Sequence, residues 1–210
     1  MDNSNGRGLA PAAVNNKEGR PIEHYSEIYR KLDPSDIQRR CGFAFNGESF
    51  AVTFLGEPLR VAFPEFSVTP EVANNVKILL LRHLSEGRLT NFNGSFLAYR
   101  DVPWGSLYDK NFQGRCVKRL AYSFGQKIEK WVDAMKSLGA TAVERLGDAA
   151  FDLSILPGLT VRYILWAGES EDDIPPAAQI LFGDNVPDAF SAEDLAVIGD
   201  VTIDAMKRRI

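Results

Sequence analysis

The sequence predicts an α+β fold, a single domain in which a mostly antiparallel sheet packs against helices. Three observations carry that prediction. Two-residue alternation and helical spacing fall in separate blocks, not in a strict strand-helix alternation, which favours helices laid against an antiparallel sheet. Phe50, Val52 and Phe54 alternate with Ala51 and Thr53, and Leu59, Val61 and Phe63 follow a Gly56-Glu57 break, so a hairpin with a type II′ turn is expected. Thr160 to Trp166 is apolar on both alternating faces except at Arg162, the pattern of a strand covered on both sides in the middle of a sheet.

The 210 residues are enough for one domain with a substantial core. Residues 1–19 are rich in Asn, Gly, Ala and Pro and hold almost nothing large to bury, so they read as a disordered tail before a domain at 20–210. A net charge of −4 gives no electrostatic reason to expect nucleic acid as partner. The amino-terminal stretch has no apolar signal region and no apolar run is long enough to span a bilayer, so a cytoplasmic protein with reduced thiols and no membrane partner is expected.

The remaining elements follow in order. Ile22, Tyr25, Ile28, Tyr29 and Leu32 recur at helical spacing after Pro21. Asp33-Pro34 starts a short second helix that Gly42 ends. Thr69-Pro70-Glu71 reads as the start of a third helix, carried on by Val72, Val76, Leu79, Leu80 and Leu84 and stopped at Gly87. Asn91 to Tyr108 is irregular but aromatic, and it is expected to lie against the core as a loop or short strands. From Val117 to Leu138 runs a long helical stripe that Gly125 splits. Strands are then expected at Phe151–Leu156, Thr160–Trp166 and Gln179–Phe182, with a wide connection at Pro157-Gly158 because Pro-Gly turn chemistry suits a tight hairpin poorly. Ser191 caps the last helix, whose buried stripe is Leu195, Ile198, Val201 and Ala205.

Carboxylates are the functional groups that cluster. Asp148 and Asp152 would share a face if both lay in one strand, but they would stand roughly 13 Å apart at the rise of an extended chain, too far to cooperate directly. Asp152 is the candidate general base, set against the plainer reading of a carboxylate balanced by Arg162. Glu169, Glu171, Asp172 and Asp173 lack the spacing of a calcium loop and read as a solvated loop. Asp184, Asp188, Glu193 and Asp194 crowd a helix start. Arg100 and Asp101 beside Trp104 and Tyr108 suit a pocket for a planar or anionic ligand, and Trp166 and Asp184 stand at strand exits. Arg115, Lys118, Arg119, Lys127 and Lys130 give one helix a basic face. Two scattered cysteines and two scattered histidines form no local metal site, and the usual nucleotide, acyl-transfer and zinc-hydrolase motifs are absent.

The segments LLLRHL (79–84), YRDVPWG (99–105), GDAAFDLSILPGLTVRYILWAG (147–168), PPAAQILF (175–182) and SAEDLAVIG (191–199) resemble the bacterial family called domain of unknown function 3786. The resemblance implies a link to anaerobes, in which some members carry an added iron-sulfur domain of the kind seen in corrinoid iron-sulfur proteins. A corrinoid or iron-sulfur protein is thereby implied as partner. Similar sequences tend to place His and then Tyr where Arg82 and His83 stand here, and an Asp where Gly183 stands. The first residues lack a cluster-binding cysteine set, so no cofactor is expected on this chain. The expected function is a non-catalytic ligand- or partner-binding accessory domain, with the aromatic loop and acidic strand exits as its surface. The alternative is an enzyme that uses Asp152 as base and Arg100 to hold an anionic small molecule. Oligomeric state is left open.

Overall fold

The computed structural model describes residues 19–169 and 173–210. The expected tail lies outside the described residues except for Gly19, as do Glu171 and Asp172 of the acidic loop. Helix α1 spans Gly19–Tyr29 and α2 spans Pro34–Cys41. The expected caps hold: the Asp33 side chain accepts the Ser35 N–H, and Gly42 closes α2 in the left-handed region at φ 74°.

Among the described residues the β layer is divided into two antiparallel sheets packed against helices. The first contains β1 (Ala44–Phe45), β2 (Ser49–Phe54), β3 (Glu57–Ala62) and β4 (Val68–Thr69), in that spatial order. The β2–β3 turn is shifted one residue from the expected Gly56-Glu57, because Glu57 already pairs with Phe54. Leu55 and Gly56 are the loop, with φ of 50° and 81°, so both central residues are left-handed as in a type I′ turn. A leucine at positive φ is strained. Burial of its side chain and a 2.9 Å hydrogen bond from its N–H to the Ile155 carbonyl in the second sheet hold it there.

Helix α3 (Asn74–Glu86) starts later than Thr69-Pro70-Glu71 implied. Thr69 pairs with Arg60 in the β3–β4 ladder, and that pairing replaces the expected cap. Ala73 occupies the cap position and makes no side-chain bond.

The second sheet contains β5 (Phe96–Ala98), β6 (Thr141–Ala142), β7 (Ala149–Leu156), β8 (Leu159–Trp166) and β9 (Ala177–Gly183), ordered β5-β9-β8-β7-β6. Strand β8 is central, as its two apolar faces require. Leu156 pairs with Leu159, so Pro157-Gly158 is a two-residue turn and not the wide connection expected. The register shifts between Ser154 and Leu156, leaving Ile155 as a bulge. The bulge absorbs the twist that Pro-Gly chemistry mismatches, and it leaves the Ile155 carbonyl to accept the Leu55 N–H.

The helix expected from Val117 begins at Gly105. It runs as α4 (Gly105–Phe112), a π-helical segment (Gln113–Lys118) and α5 (Arg119–Phe124), and it breaks at Gly125 before α6 (Ile128–Ser137). A short α7 (Val186–Ala189) precedes α8 (Ala192–Lys207), where Ser191 and Asp194 complete a capping box.

Helices cover one face of the second sheet. Trp131 of α6 meets Phe151 edge-on at 5.4 Å, and Phe112 of α4 lies 5.9 Å from Phe182. The Tyr163 hydroxyl lies 2.5 Å from Thr202 Oγ1 of α8, while Thr202 donates to the Ile198 carbonyl at 2.8 Å. Asp152 and Arg162 are directly paired on β7 and β8 with their side chains only partly exposed. By strand alternation they occupy the face opposite Phe151 and Tyr163.

Two consequences are measurable. A Cβ at Gly199 of α8 would stand 2.7 Å from Cys116 Sγ. Gly199→Ala therefore lowers stability in urea unfolding by about 1–2 kcal/mol despite the better helix propensity of alanine, and adding Cys116→Ala recovers part of the loss. Burial lowers the His83 imidazole from 6.5 to about 4. The unfolded chain then takes up a proton between those values that the folded chain refuses, so stability falls as pH drops through that window, by at most about 1.4 kcal/mol per pH unit. His83→Asn, which keeps a donor for the Ala189 carbonyl, flattens that dependence in urea midpoints compared at pH 7 and pH 5.

Candidate functional site

The aromatic segment is a rigid shelf. Tyr99 is buried, its hydroxyl donates to the Ala192 carbonyl at 2.8 Å, and its ring stacks on Phe112 with centroids 4.0 Å apart. Tyr99 opens a 3-10 turn through Asp101, and Val102 and Gly105 continue the path by backbone bonds of 3.3 and 2.9 Å. Gly105 permits the close approach: a Cβ there would sit 1.8 Å from the Tyr99 carbonyl oxygen.

On this base stands Trp104, at φ 65°, with 79% of its surface exposed. Leu107, one helical turn on, is equally exposed, and Tyr108 beside it is 41% exposed. A bulky residue held left-handed gains nothing from packing when its side chain faces water. That strain and three large exposed apolar groups fall together on one turn.

Behind the shelf lies a cavity of about 420 Å³ lined by Arg100, Trp166, Gln179, Asp109 and Gln113 among others. Strand β5 pairs with β9 only over Leu181–Gly183, so the first half of β9 is not covered by β5 and the cavity opens against it. Arg100 and Trp166, both singled out from the sequence, thus meet at one place. Asp101, next to Arg100 in the chain, and Trp104, four residues on, are exposed and do not line this cavity.

The other carboxylates are structural partners. Asp148 accepts the Ala167 N–H at 2.7 Å and so closes the end of the β7–β8 ladder beside Trp166. Asp184 accepts the Asn93 N–H at 3.1 Å at the opposite end of β9. Asp152 holds Arg162 through two bonds of 2.7 and 2.9 Å, and the Arg162 guanidinium lies 3.9 Å from the Phe96 ring centre. Asp152 is three strands from Ala98, next but one before Arg100, a separation of roughly 14 Å at ordinary strand spacing. The structure does not bring Asp152 and Arg100 together.

Two features escaped the sequence reading. Leu107 belongs to the shelf, and only a helix phased from Gly105 would have revealed its spacing from Trp104. A second cleft of about 680 Å³ gathers Arg20, His24, Tyr25, Arg82, Arg115, Glu193 and Asp194 from four separate segments. Two of its arginines are held by carboxylates. Arg82 reaches Asp194 at 3.0 Å, Glu193 at 3.3 Å and Ser191 at 3.0 Å, and Arg115 pairs with Asp200. Burial raises the Asp194 carboxyl above its usual value against the opposing pull of Ser191 and Arg82. Arg119 pairs with Asp200 and Asp204, so two cations of the expected basic face are held against α8.

The thiols are not poised for chemistry. Burial pushes Cys41 up to about 11 and Cys116 up to about 12, and Cys41 Sγ meets the backbone carbonyl of His83, at 3.5 Å. Among the described residues no three His, Cys, Asp or Glu side chains are grouped to hold a metal ion, and no helix is long and apolar enough to cross a membrane.

No curated protein and no solved structure matches the chain. Residues 33–205 match the family described as domain of unknown function (DUF3786), which takes in the shelf, the cavity behind it and both sheets. The chain belongs to that family.

Proposed function

We propose that this protein is a non-catalytic accessory domain that docks a partner protein through the Trp104, Leu107 and Tyr108 shelf. The observation that carries the reading is Trp104 itself, almost fully exposed at positive φ on a base fixed by Tyr99, Gly105 and Phe112. Trp and Tyr are the residue types that anchor interfaces, since they offer large rigid area with few rotatable bonds to immobilise. Arg100 at the neighbouring cavity supplies a planar cation for an acidic group of the partner. The engagement of Asp152 by Arg162, and of Asp194 by Arg82 and Ser191, favours binding over base catalysis. As partner we propose a corrinoid or iron-sulfur protein, a choice that rests on the family resemblance.

Immobilised full-length protein, exposed to an anaerobic lysate, should retain a protein carrying corrinoid absorbance or iron. The Trp104→Ala/Leu107→Ala variant should retain at least about tenfold less while unfolding at the same temperature, because neither side chain packs in the core. Equal recovery by both proteins sinks the shelf as the docking surface, and recovery of nothing by either counts against the docking role.

A further inference from the structure

The least covered of the described core side chains gather at one cleft. Among the described core side chains, six keep 5% or more of their surface exposed: Phe54, Leu55, Leu59, Val76, Leu138 and Val201. All six line a single cleft of about 440 Å³. Its walls are the tip of the β2–β3 hairpin, the segment leading into α3, the end of α6 and the last turns of α8. The hydrogen bond from Leu55 to Ile155 fixes the hairpin tip and so fixes one wall.

Polar groups gather only at the rim. Arg209 pairs with Glu57 at 3.3 Å and donates to the Ala205 carbonyl at 3.1 Å. Arg208 also lines the cleft, and among the described residues it has no ion-pair partner. On the facing side, Ala73 leaves the α3 amino terminus without a side-chain cap, although Asn75 takes up the Val76 N–H and Glu71 pairs with Lys77 nearby. The result is an apolar trough with a spare guanidinium and the positive end of a 13-residue helix at its edge. A polar ligand such as a sugar would leave its hydroxyls facing Phe54, Leu59 and Val201 without partners. An alkyl chain would not.

We propose that this cleft binds a free medium-chain carboxylate, with its alkyl chain against Phe54, Leu59, Val76 and Val201 and its head group at Arg208. The site is remote in sequence and lining from the Trp104 shelf and stands whether or not the shelf docks a partner.

Calorimetry on the full-length chain tests it, with octanoate, decanoate and decanol kept below their micellar concentrations. Decanoate should bind saturably at one site with a negative heat-capacity change, and octanoate about tenfold more weakly for its two missing methylenes. Arg208→Glu, a change at an exposed position, should weaken decanoate about tenfold and leave decanol unchanged. Val201→Phe, which fills the trough, should abolish binding of all three. Absence of saturable decanoate binding overturns the proposal, as does undiminished affinity in a folded Val201→Phe protein. Equal affinity of decanoate for the wild-type and Arg208→Glu proteins overturns the head-group assignment.

Discussion

A helix buried on nearly every side must find partners for its polar groups inside the protein, and α8 imposes that constraint here. Leu195, Ala196, Ile198, Gly199, Val201, Thr202, Ile203, Ala205 and Met206 are all buried, so the helix is apolar around most of its circumference. Neighbouring elements meet it through specific contacts. Tyr163 of β8 reaches Thr202, Tyr99 donates to the Ala192 carbonyl, and Cys116 of the π-helical segment donates to the Ala196 carbonyl at 3.4 Å. Arg82 of α3 takes Asp194 at one end, and Glu57 of β3 takes Arg209 just past the other. A typical bond of this kind contributes only about 1 kcal/mol, whereas a buried group left without its partner costs more than that, so the set acts chiefly to exclude other placements of the helix.

This arrangement separates scaffold from surface. The shelf is rigid because Tyr99 is clamped between α8 and Phe112, and the cleft exists because the hairpin tip is tied to the β7 bulge and not packed down onto α8. Charged residues that look functional in isolation are mostly drawn into holding α8: Arg82, Arg115, Arg119, Asp194, Asp200 and Asp204 all face partners within the chain. The large apolar side chains that no packing explains are therefore the more informative surface feature.

Local signals were legible where local physics decides. Asp33, Gly42 and Ser191 cap helices because a side-chain oxygen or a left-handed glycine meets free backbone groups within a few residues. Alternation located β2, β3 and β8, and the balance of Asp152 by Arg162 followed from the cost of an unpaired, half-buried charge. Decisions made by distant segments were not legible. Thr69 has the chemistry of a cap but pairs with Arg60, Leu55 is left-handed where Ile155 accepts its N–H, and the need for Gly105 comes from the Tyr99 carbonyl packed against it. The shelf was half visible for the same reason: Trp104 and Arg100 stood out by type, but the phase of α4 that adds Leu107 is set by packing on Phe182 and α8.

The π-helical segment from Gln113 to Lys118 sets the angular phase between the two halves of one continuous helical run. Each residue of an α-helix turns the chain by about 100°, and a π-helical turn accommodates one residue more than an α-turn. Removing a single residue from that segment would let it close as ordinary α-helix, and with α5 fixed by Leu120 and Phe124 in the core, everything before it would swing by about that angle. Trp104, Leu107 and Tyr108 would then turn relative to the edge of β9. A chain shortened there by one residue would keep its hydrophobic content and its helix, and lose the alignment of the Trp104 face.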